Sequence, residues 1–202
     1  RKGYGYEFDV IKEFSQHHKD IRVYIHTNVQ GDAGAIPLDL LRKEMGLEDV
    51  IAFNRPQGPL GETPLYMKDM YNAFDVLLHC GIAEGFGLPV IEAQACGTPV
   101  VLNACTSMTE LVGYGSYGAE PSGNFIASTC SRVALPSVEL LLMALEKRYE
   151  DWKANSTTRE GVRSNGHRFE QERSYEEKWR PLLATGPPKL DFKAGKRKLM
   201  RA

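Results

Sequence analysis

The stretch from Asp75 to Val101, with the sequence DVLLHCGIAEGFGLPVIEAQACGTPVV, constrains the fold of this chain more than any other part of it. An apolar run at 76–78 leads into a glycine-rich turn, and Pro89 stands where proline favours the first turn of a helix. A second apolar run follows at 99–102. This order predicts a strand, a loop, a helix and a parallel strand, and the loop then lies at the edge where open α/β sheets bind ligands.

The turn before this helix has the composition of an anion-binding loop. The N–H groups of Gly87, Leu88 and the residues after them would point out of the helix start, which carries about half a positive charge and favours phosphate. Gly85 and Gly87 permit positive φ and close approach of a ligand. Glu84 and Glu92 flank the loop, and carboxylates accept hydrogen bonds from adjacent sugar hydroxyls. The pattern favours a nucleotide sugar, whereas the glycines alone are equally typical of a plain tight turn.

Residues 84–92, taken with their continuation to Val101, resemble the E-x7-E signature of family 4 retaining glycosyltransferases. Those enzymes have the GT-B fold, which consists of two Rossmann-like domains. The resemblance covers residues 1–183 and is to the C-terminal, donor-binding half only. It implies an α/β fold in which helices flank a Rossmann-like parallel sheet, and we expect the first strand of that sheet to be missing from this chain.

The resemblance implies a role for each candidate residue. Glu84 is expected to contact the donor sugar near the reacting carbon, as the catalytic residue, and Glu92 to hold the ribose hydroxyls. Lys2, in a Lys-Gly element, is expected to neutralise the leaving diphosphate. The backbone amides expected to hold sugar hydroxyls and phosphate are those of Gly85, Phe86, Gly87 and Leu88.

Two further donor contacts are expected outside this loop. Thr27 follows a predicted strand on the ligand side, and Arg55 is placed to reach the base or the phosphate. Arg55 stands in an Asn-Arg-Pro segment where the family commonly has glycine, so base recognition by the family's usual loop is in doubt here.

Charge and cysteine content narrow the function classes. The formal net charge is −1, which gives no overall field for nucleic acid or for a membrane surface. The four cysteines have no metal-type spacing, so we interpret them as free thiols of a reducing cytosol. The acidic residues form no pair suited to a divalent cation. We therefore expect metal-independent catalysis and no cofactor besides the nucleotide sugar substrate.

Helical and apolar patterns alternate along residues 1–185, which we assign to one donor-binding domain. The expected elements include helices at 6–17, 64–73, 107–112 and 138–149, and residues 113–123 are a glycine-rich loop to which the pattern assigns no element. Residues 186–202 are a basic tail, interpreted as a flexible solvated end, with weak contact to an anionic membrane surface as the alternative. The expected location is the cytoplasm, or the inner face of a membrane.

The sequence therefore predicts a hexosyltransferase of carbohydrate biosynthesis that moves a sugar from a UDP or GDP sugar to an acceptor hydroxyl. The acceptor site would lie mainly on the protein's own N-terminal domain, so we expect this chain alone to be inactive. Two alternatives remain open: a non-catalytic nucleotide-sugar binding or assembly module, and a GT-B sugar-nucleotide epimerase. The Glu-Gly-Phe-Gly-Leu-Pro string counts against the epimerase, and the pair Glu84 and Glu92 counts against the module.

Overall fold

The computed structural model describes residues 2–29, 37–54, 62–127 and 130–185. Its contacts divide the chain into one unit that ends at His167 and a second that begins at Arg168. In the described part of the first unit the α-helices are α1 (Tyr4–His17), α2 (Leu38–Glu44), α3 (Pro64–Ala73), α4 (Leu88–Ala95), α5 (Val138–Lys153) and α6 (Arg159–His167). A 3₁₀ helix spans Thr106–Leu111.

The strands of this unit form two parallel sheets and a hairpin. They are β1 (Val23–His26), β2 (Ile51–Asn54), β3 (Leu77–His79), β4 (Val100–Asn103), β5 (Tyr117–Ala119), β6 (Gly123–Ile126) and β7 (Arg132–Leu135). Strand β1 pairs with β2, β4 lies between β3 and β5, and all of these pairs are parallel. The antiparallel β6–β7 pair stands apart from both sheets. The predicted α/β class with helices flanking a parallel sheet is confirmed.

Two helices show how the local sequence sets their ends. The hydroxyl of Thr63 accepts a hydrogen bond from the N–H of Tyr66, and Pro64 follows at the first helical position of α3. At the start of α5 the hydroxyl of Ser137 accepts the N–H of Leu140 in the same way.

The core lies on both sides of α1, which contributes to two apolar clusters. Val10 and Phe14 pack with Leu141 of α5 and with strand β4, and all of these side chains are buried. Phe8 and Ile11 pack instead with β1, β2 and α2. Because α1 joins both clusters, it ties the two parallel sheets into one unit.

The structure corrects three expectations for 106–135. Residues 106–111 form a 3₁₀ helix rather than an α-helix, and it begins at Thr106 with a φ of 50°. The glycine-rich segment 113–123 contains strand β5, which the pattern did not predict. The β6–β7 hairpin was also not predicted, because its strands lack the regular alternation of a half-buried strand.

The described part of the second unit is helical. It consists of α7 (Gln171–Ser174), a π-helical turn (Tyr175–Trp179) and α8 (Arg180–Ala184). Ion pairs one turn apart join Arg173 to Glu177 at 2.9 Å and Arg180 to Glu176 at 2.7 Å. The predicted basic tail, 186–202, lies outside the described residues. None of the helices that the structure describes is long and apolar enough to cross a membrane.

Candidate functional site

The loop between β3 and α4, residues 80–87, is held in place by the start of the 3₁₀ helix. The hydroxyl of Thr106 donates to the carbonyl of Glu84 at 3.0 Å and accepts its N–H at 3.4 Å. The hydroxyl of Ser107 donates to the same carbonyl at 3.3 Å. Thr106 keeps a left-handed backbone conformation that costs a β-branched residue energy, and such strain persists where surrounding contacts fix it. The position of Glu84 is therefore set by its backbone.

Lys2 and Glu84 meet directly, although 82 positions separate them in the sequence. The ammonium of Lys2 lies 2.6 Å from Oε1 of Glu84, whose side chain is only 9% exposed. Gly3 makes this approach possible, since it has a φ of 80° and a Cβ there would overlap the carbonyl oxygen of Cys80. The chain before α1 thus packs against the end of β3 and brings a cation to the catalytic candidate.

Two buried titratable groups lie behind this ion pair. Oε1 of Glu7 accepts the N–H of Cys80 at 3.2 Å, and burial raises the pKa of Glu7 to about 7, against the lowering effects of that hydrogen bond and of Lys2. Nε2 of His79 lies 3.8 Å from Oε1 of Glu84. Burial lowers the pKa of His79, and the positive charge of Lys2 lowers it further, whereas the negative charge of Glu84 raises it. Because the net effect is a lowering, the imidazole is neutral near pH 7.

Helix α4 begins at Leu88, immediately after the loop. Gly87 caps it with a φ of 93°, the left-handed conformation expected of a glycine there. Gly85 does not have positive φ, and no atom beyond its chain neighbours lies within 4 Å of a Cβ built on it. Phe86 and Leu88 are 45% and 60% exposed. The predicted amide segment therefore borders open space, as a ligand-binding loop must.

Glu92 lies one turn into α4 and faces a cavity of 920 Å³. The hydroxyl of Tyr71 donates to Oε2 of Glu92 at 3.1 Å. Burial raises the pKa of Tyr71, and the negative charge of Glu92 raises it further. One oxygen of Glu92 is thus oriented by tyrosine while the other is available to hydroxyl donors. Lys2 and His79 line the same polar end of the cavity.

Two further residues, Thr27 and Arg55, were predicted to contact the nucleotide sugar. Thr27 lies close enough to Tyr4, in the first turn of α1, to lower the pKa of the tyrosine hydroxyl against the larger raising effect of burial. Arg55 lies outside the described residues. The structure brings Lys2, Glu84, Glu92 and the loop between them to one edge, and their roles toward a ligand stay predictions.

Comparisons with known proteins agree with this geometry. A profile of the family described as Glycosyl transferases group 1 matches residues 38–159, more than half of the chain. The chain belongs to the group 1 glycosyl transferases.

Relatives and solved structures extend the match beyond the family profile. The chain is 31% identical over 178 residues to D-inositol 3-phosphate glycosyltransferase of Mycolicibacterium smegmatis, an alignment that covers 76% of this chain and 40% of the relative. It thus spans well under half the length of that relative. In fold it is similar to TarM of S. aureus, with a TM-score of 0.68 at 15% identity over 90% of this chain and 32% of that one. Anabaena HepE gives 0.65 at 18% identity, over 91% and 45%.

Within this group 1 glycosyl transferase, sequence reasoning missed three residues that shape the site. The pattern of α1 does not mark Glu7, whose carboxyl group is buried. The hydroxyls of Thr106 and Ser107 fix the backbone of Glu84. A threonine-serine pair three residues after the end of a buried strand was the available signal.

Among the residues that the structure describes, no group of three or more His, Cys, Asp and Glu side chains is arranged to hold a metal ion. Metal-independent catalysis by this family member stays a prediction.

Proposed function

We infer that this chain is the donor-binding half of a retaining glycosyltransferase. It would move a sugar from a nucleotide diphosphate sugar, of the UDP or GDP type, to an acceptor hydroxyl. One observation carries the proposal: Glu84, fixed by its backbone, lies 2.6 Å from the ammonium of Lys2 and directly before the exposed residues Gly85 and Phe86, which lead into α4. An anion held by the amides of this loop would lie within reach of both side chains.

Solved structures of similar fold support the choice of ligand. The TarM structure contains UDP and alpha-GlcNAc-glycerol, and the HepE structure contains UDP and glucose. Both matches cover about nine-tenths of this chain. UDP is accordingly the first nucleotide to test here, with GDP as the second.

The reaction breaks the bond between the sugar's anomeric carbon and the diphosphate oxygen, and it forms a bond from that carbon to the acceptor oxygen. The acceptor's hydroxyl proton would pass to the departing diphosphate oxygen as the new bond forms. Lys2 and the first amides of α4 would stabilise the negative charge that develops on the departing diphosphate. Glu84 would orient the sugar beside the breaking bond, and its own position depends on Thr106.

The ribose would lie at the other carboxylate. Oε2 of Glu92 already accepts the hydroxyl of Tyr71, and Glu92 lines the cavity, so Oε1 would be the oxygen offered to adjacent ribose hydroxyls. This division of one carboxylate between an internal donor and a ligand keeps its orientation fixed before binding.

The acceptor and its binding groups are assigned to an N-terminal domain of the same protein. Sugar transfer, cytoplasmic location and any weak contact of the tail with a membrane belong to this proposal as well. Retention of the anomeric configuration would be read from the anomeric proton of the product by NMR, using a protein that includes the acceptor domain.

Binding is tested by thermal unfolding of the 202-residue chain with UDP, GDP and ADP. A nucleotide at about 100 times its dissociation constant adds about 2.7 kcal/mol of stability, which raises Tm by about 5 to 10 °C in a domain of this size. Glu92→Gln should reduce the shift, because ribose hydroxyls then face an amide instead of a carboxylate. Glu150→Gln is the matched control, since Glu150 forms only a surface ion pair with Lys153 on α5.

The Tm shifts distinguish the proposed donor site from the alternatives. A shift with one nucleotide, reduced by Glu92→Gln and not by Glu150→Gln, supports the proposed site and identifies the base. A shift that both variants retain in full places the nucleotide elsewhere. If none of the three nucleotides shifts Tm, with or without the acceptor domain, the transferase proposal fails and an assembly module is favoured.

A further inference from the structure

A buried histidine lies behind the ion pair of Lys2 and Glu84. His79 is the last residue of β3, and its side chain is 8% exposed. Its Nε2 lies 3.8 Å from Oε1 of Glu84, the same oxygen that the ammonium of Lys2 contacts at 2.6 Å. A separation of 3.8 Å is too long for a hydrogen bond. Among the described residues Nε2 of His79 has no hydrogen-bond partner, which is uncommon for a buried nitrogen. This nitrogen can therefore make one further hydrogen bond.

Gly81 keeps the space between the imidazole and the carboxylate open. A Cβ built on residue 81 would lie 3.1 Å from Nε2 of His79 and 3.5 Å from Cγ of Glu84. A larger residue would therefore stand between these two side chains, whereas glycine puts no atom there. A shift of about 1 Å would bring Nε2 and Oε1 within hydrogen-bond distance.

Lys2 is the more mobile member of its ion pair. Its side chain is 43% exposed, whereas that of Glu84 is 9% exposed and its backbone is held by Thr106. Lys2 can thus turn toward a diphosphate at the neighbouring loop while Glu84 stays in place. A carboxylate that is mostly buried and loses its cation is costly. The departure of Lys2 therefore favours a second cation at the same oxygen.

The charges around His79 favour a cation there once Lys2 has moved. In the unliganded protein burial lowers the pKa of His79, Glu84 raises it, and Lys2 lowers it. A diphosphate that draws Lys2 away removes one lowering effect and leaves the raising effect of Glu84. The negative charge of the diphosphate also raises the pKa of the imidazole. The pKa of His79 should therefore rise when a donor binds.

We propose that His79 replaces Lys2 as the partner of Glu84 when a nucleotide sugar binds, so that Lys2 can pair with the diphosphate. The inference rests on the proposed donor site. The imidazole takes up one proton from solvent and donates its Nε2–H to Oε1 of Glu84. His79 is then a positioning residue, because it keeps Glu84 beside the sugar without touching the donor itself.

Other titratable side chains line the same cavity, among them Tyr4, Glu7 and Glu92. Burial raises the pKa of Tyr4 from its ordinary value of 10.0, so its hydroxyl stays neutral at pH 6 to 8. Glu7 has a pKa of about 7, which Lys2 lowers, so Glu7 also gains proton occupancy when Lys2 moves away. A signal from the imidazole itself distinguishes His79 from Glu7.

NMR of the imidazole nitrogens tests the proposal on the 202-residue chain labelled with ¹⁵N-histidine. Spectra are recorded at pH 7 without a ligand and with 1 mM UDP-glucose or GDP-mannose. The signals of His79 are those that His79→Gln removes. We expect a neutral imidazole in the unliganded protein and a cationic one in the complex. His17→Gln is the control, since His17 is exposed at the last turn of α1 and should leave these signals unchanged.

The pH dependence of binding gives a second readout. The pKa of His79 is higher in the complex, so its contribution to binding is fully present at low pH and is lost as the pH rises through the pKa of the complex. One proton changes the dissociation constant by up to about tenfold per pH unit between the two pKa values. We expect an increase of about tenfold from pH 6 to pH 8 by calorimetry, in proteins that all carry Glu7→Gln. His79→Gln should abolish this increase, and Gly81→Ala, which fills the space beside Nε2, should reduce it.

The results also separate this inference from the proposed donor site. If a sugar nucleotide binds and the imidazole of His79 stays neutral, the inference is wrong and the donor site stands. The same conclusion follows if the imidazole is already cationic without a ligand, or if His79→Gln leaves the pH dependence of binding unchanged. If neither sugar nucleotide binds at 1 mM, the donor site and the inference fail together.

Discussion

Replacement of Glu7 by glutamine should change how the stability of the protein depends on pH. The carboxyl group is buried against Cys80, and its pKa is raised from 4.5 to about 7 in the folded protein. The folded state therefore binds more protons than the unfolded state between these two values. The contribution of Glu7 to stability is fully present below pH 4.5 and is lost as the pH rises through about 7.

The size of this loss follows from the pKa difference. Each pKa unit corresponds to about 1.36 kcal/mol, so between pH 5 and pH 9 the native protein should lose about 2 to 3 kcal/mol that Glu7→Gln does not lose. The glutamine oxygen still accepts the N–H of Cys80, so the loop end keeps its hydrogen bond. Titrating groups that do not interact with Glu7 are common to both proteins and cancel in the comparison.

Urea unfolding at pH 5, 7 and 9 measures this difference. The control is Glu13→Gln, because Glu13 is an exposed residue of the same helix, α1. We expect the stability of Glu7→Gln relative to the native protein to rise mainly between pH 5 and pH 7 and to level off between pH 7 and pH 9, and that of Glu13→Gln to stay nearly constant. A Glu7→Gln difference that is independent of pH would refute the argument that burial raises the pKa of this carboxyl group.

Two further predictions concern single sites of the fold. Gly3→Ala should lower the free energy of unfolding in urea by more than about 1 to 2 kcal/mol, because Gly3 has positive φ and an added Cβ would overlap Cys80. Gly5→Ala should instead raise it by about 0.5 to 1 kcal/mol, since nothing lies near an added Cβ there. Equal effects would contradict the packing of Gly3. Leu141→Ala should lower the free energy of unfolding by about 2 to 5 kcal/mol, because the side chain of Leu141 is fully buried. Met143 lies on the same helix but is 60% exposed, so Met143→Ala should change this free energy by less than about 0.5 kcal/mol. A small effect of Leu141→Ala would place the core elsewhere.

The sequence predicted those parts of the fold whose signals are local. Helix α5 has leucines at helical spacing and a serine cap, and its observed start at Val138 agrees with the prediction. The β3–α4–β4 unit has a proline at a helix start and apolar runs on both sides, and it too is confirmed. In both cases the pattern within one element decides the structure.

Elements that depend on distant partners could not be predicted. Strand β5 has three residues with a glycine at its centre, and it exists because Val101 and Leu102 offer a parallel partner. The segment 106–111 has an ordinary helical composition, but its hydroxyl bonds to Glu84 force Thr106 into positive φ and tighten the turn. Neither constraint is visible in the neighbouring sequence.

Part of the candidate site could likewise be predicted from local sequence, and part depends on distant partners. The loop and both carboxylates could be located from their spacing, because strand, turn and helix position them together. The contact of Lys2 with Glu84 depends instead on how α1 packs against the end of β3. The orientation of Glu92 depends on Tyr71, which comes from a different helix.

The most direct test of the central claim is an NMR titration of the ¹⁵N-labelled 202-residue chain with UDP-glucose and, separately, with GDP-mannose, each up to about 1 mM. The account predicts that one of them shifts the amide signals of residues 85–88 and of Glu92, and leaves those of the β6–β7 hairpin unchanged. Shifts confined to the hairpin, or none with either sugar nucleotide, would contradict the assignment of this edge as the donor site.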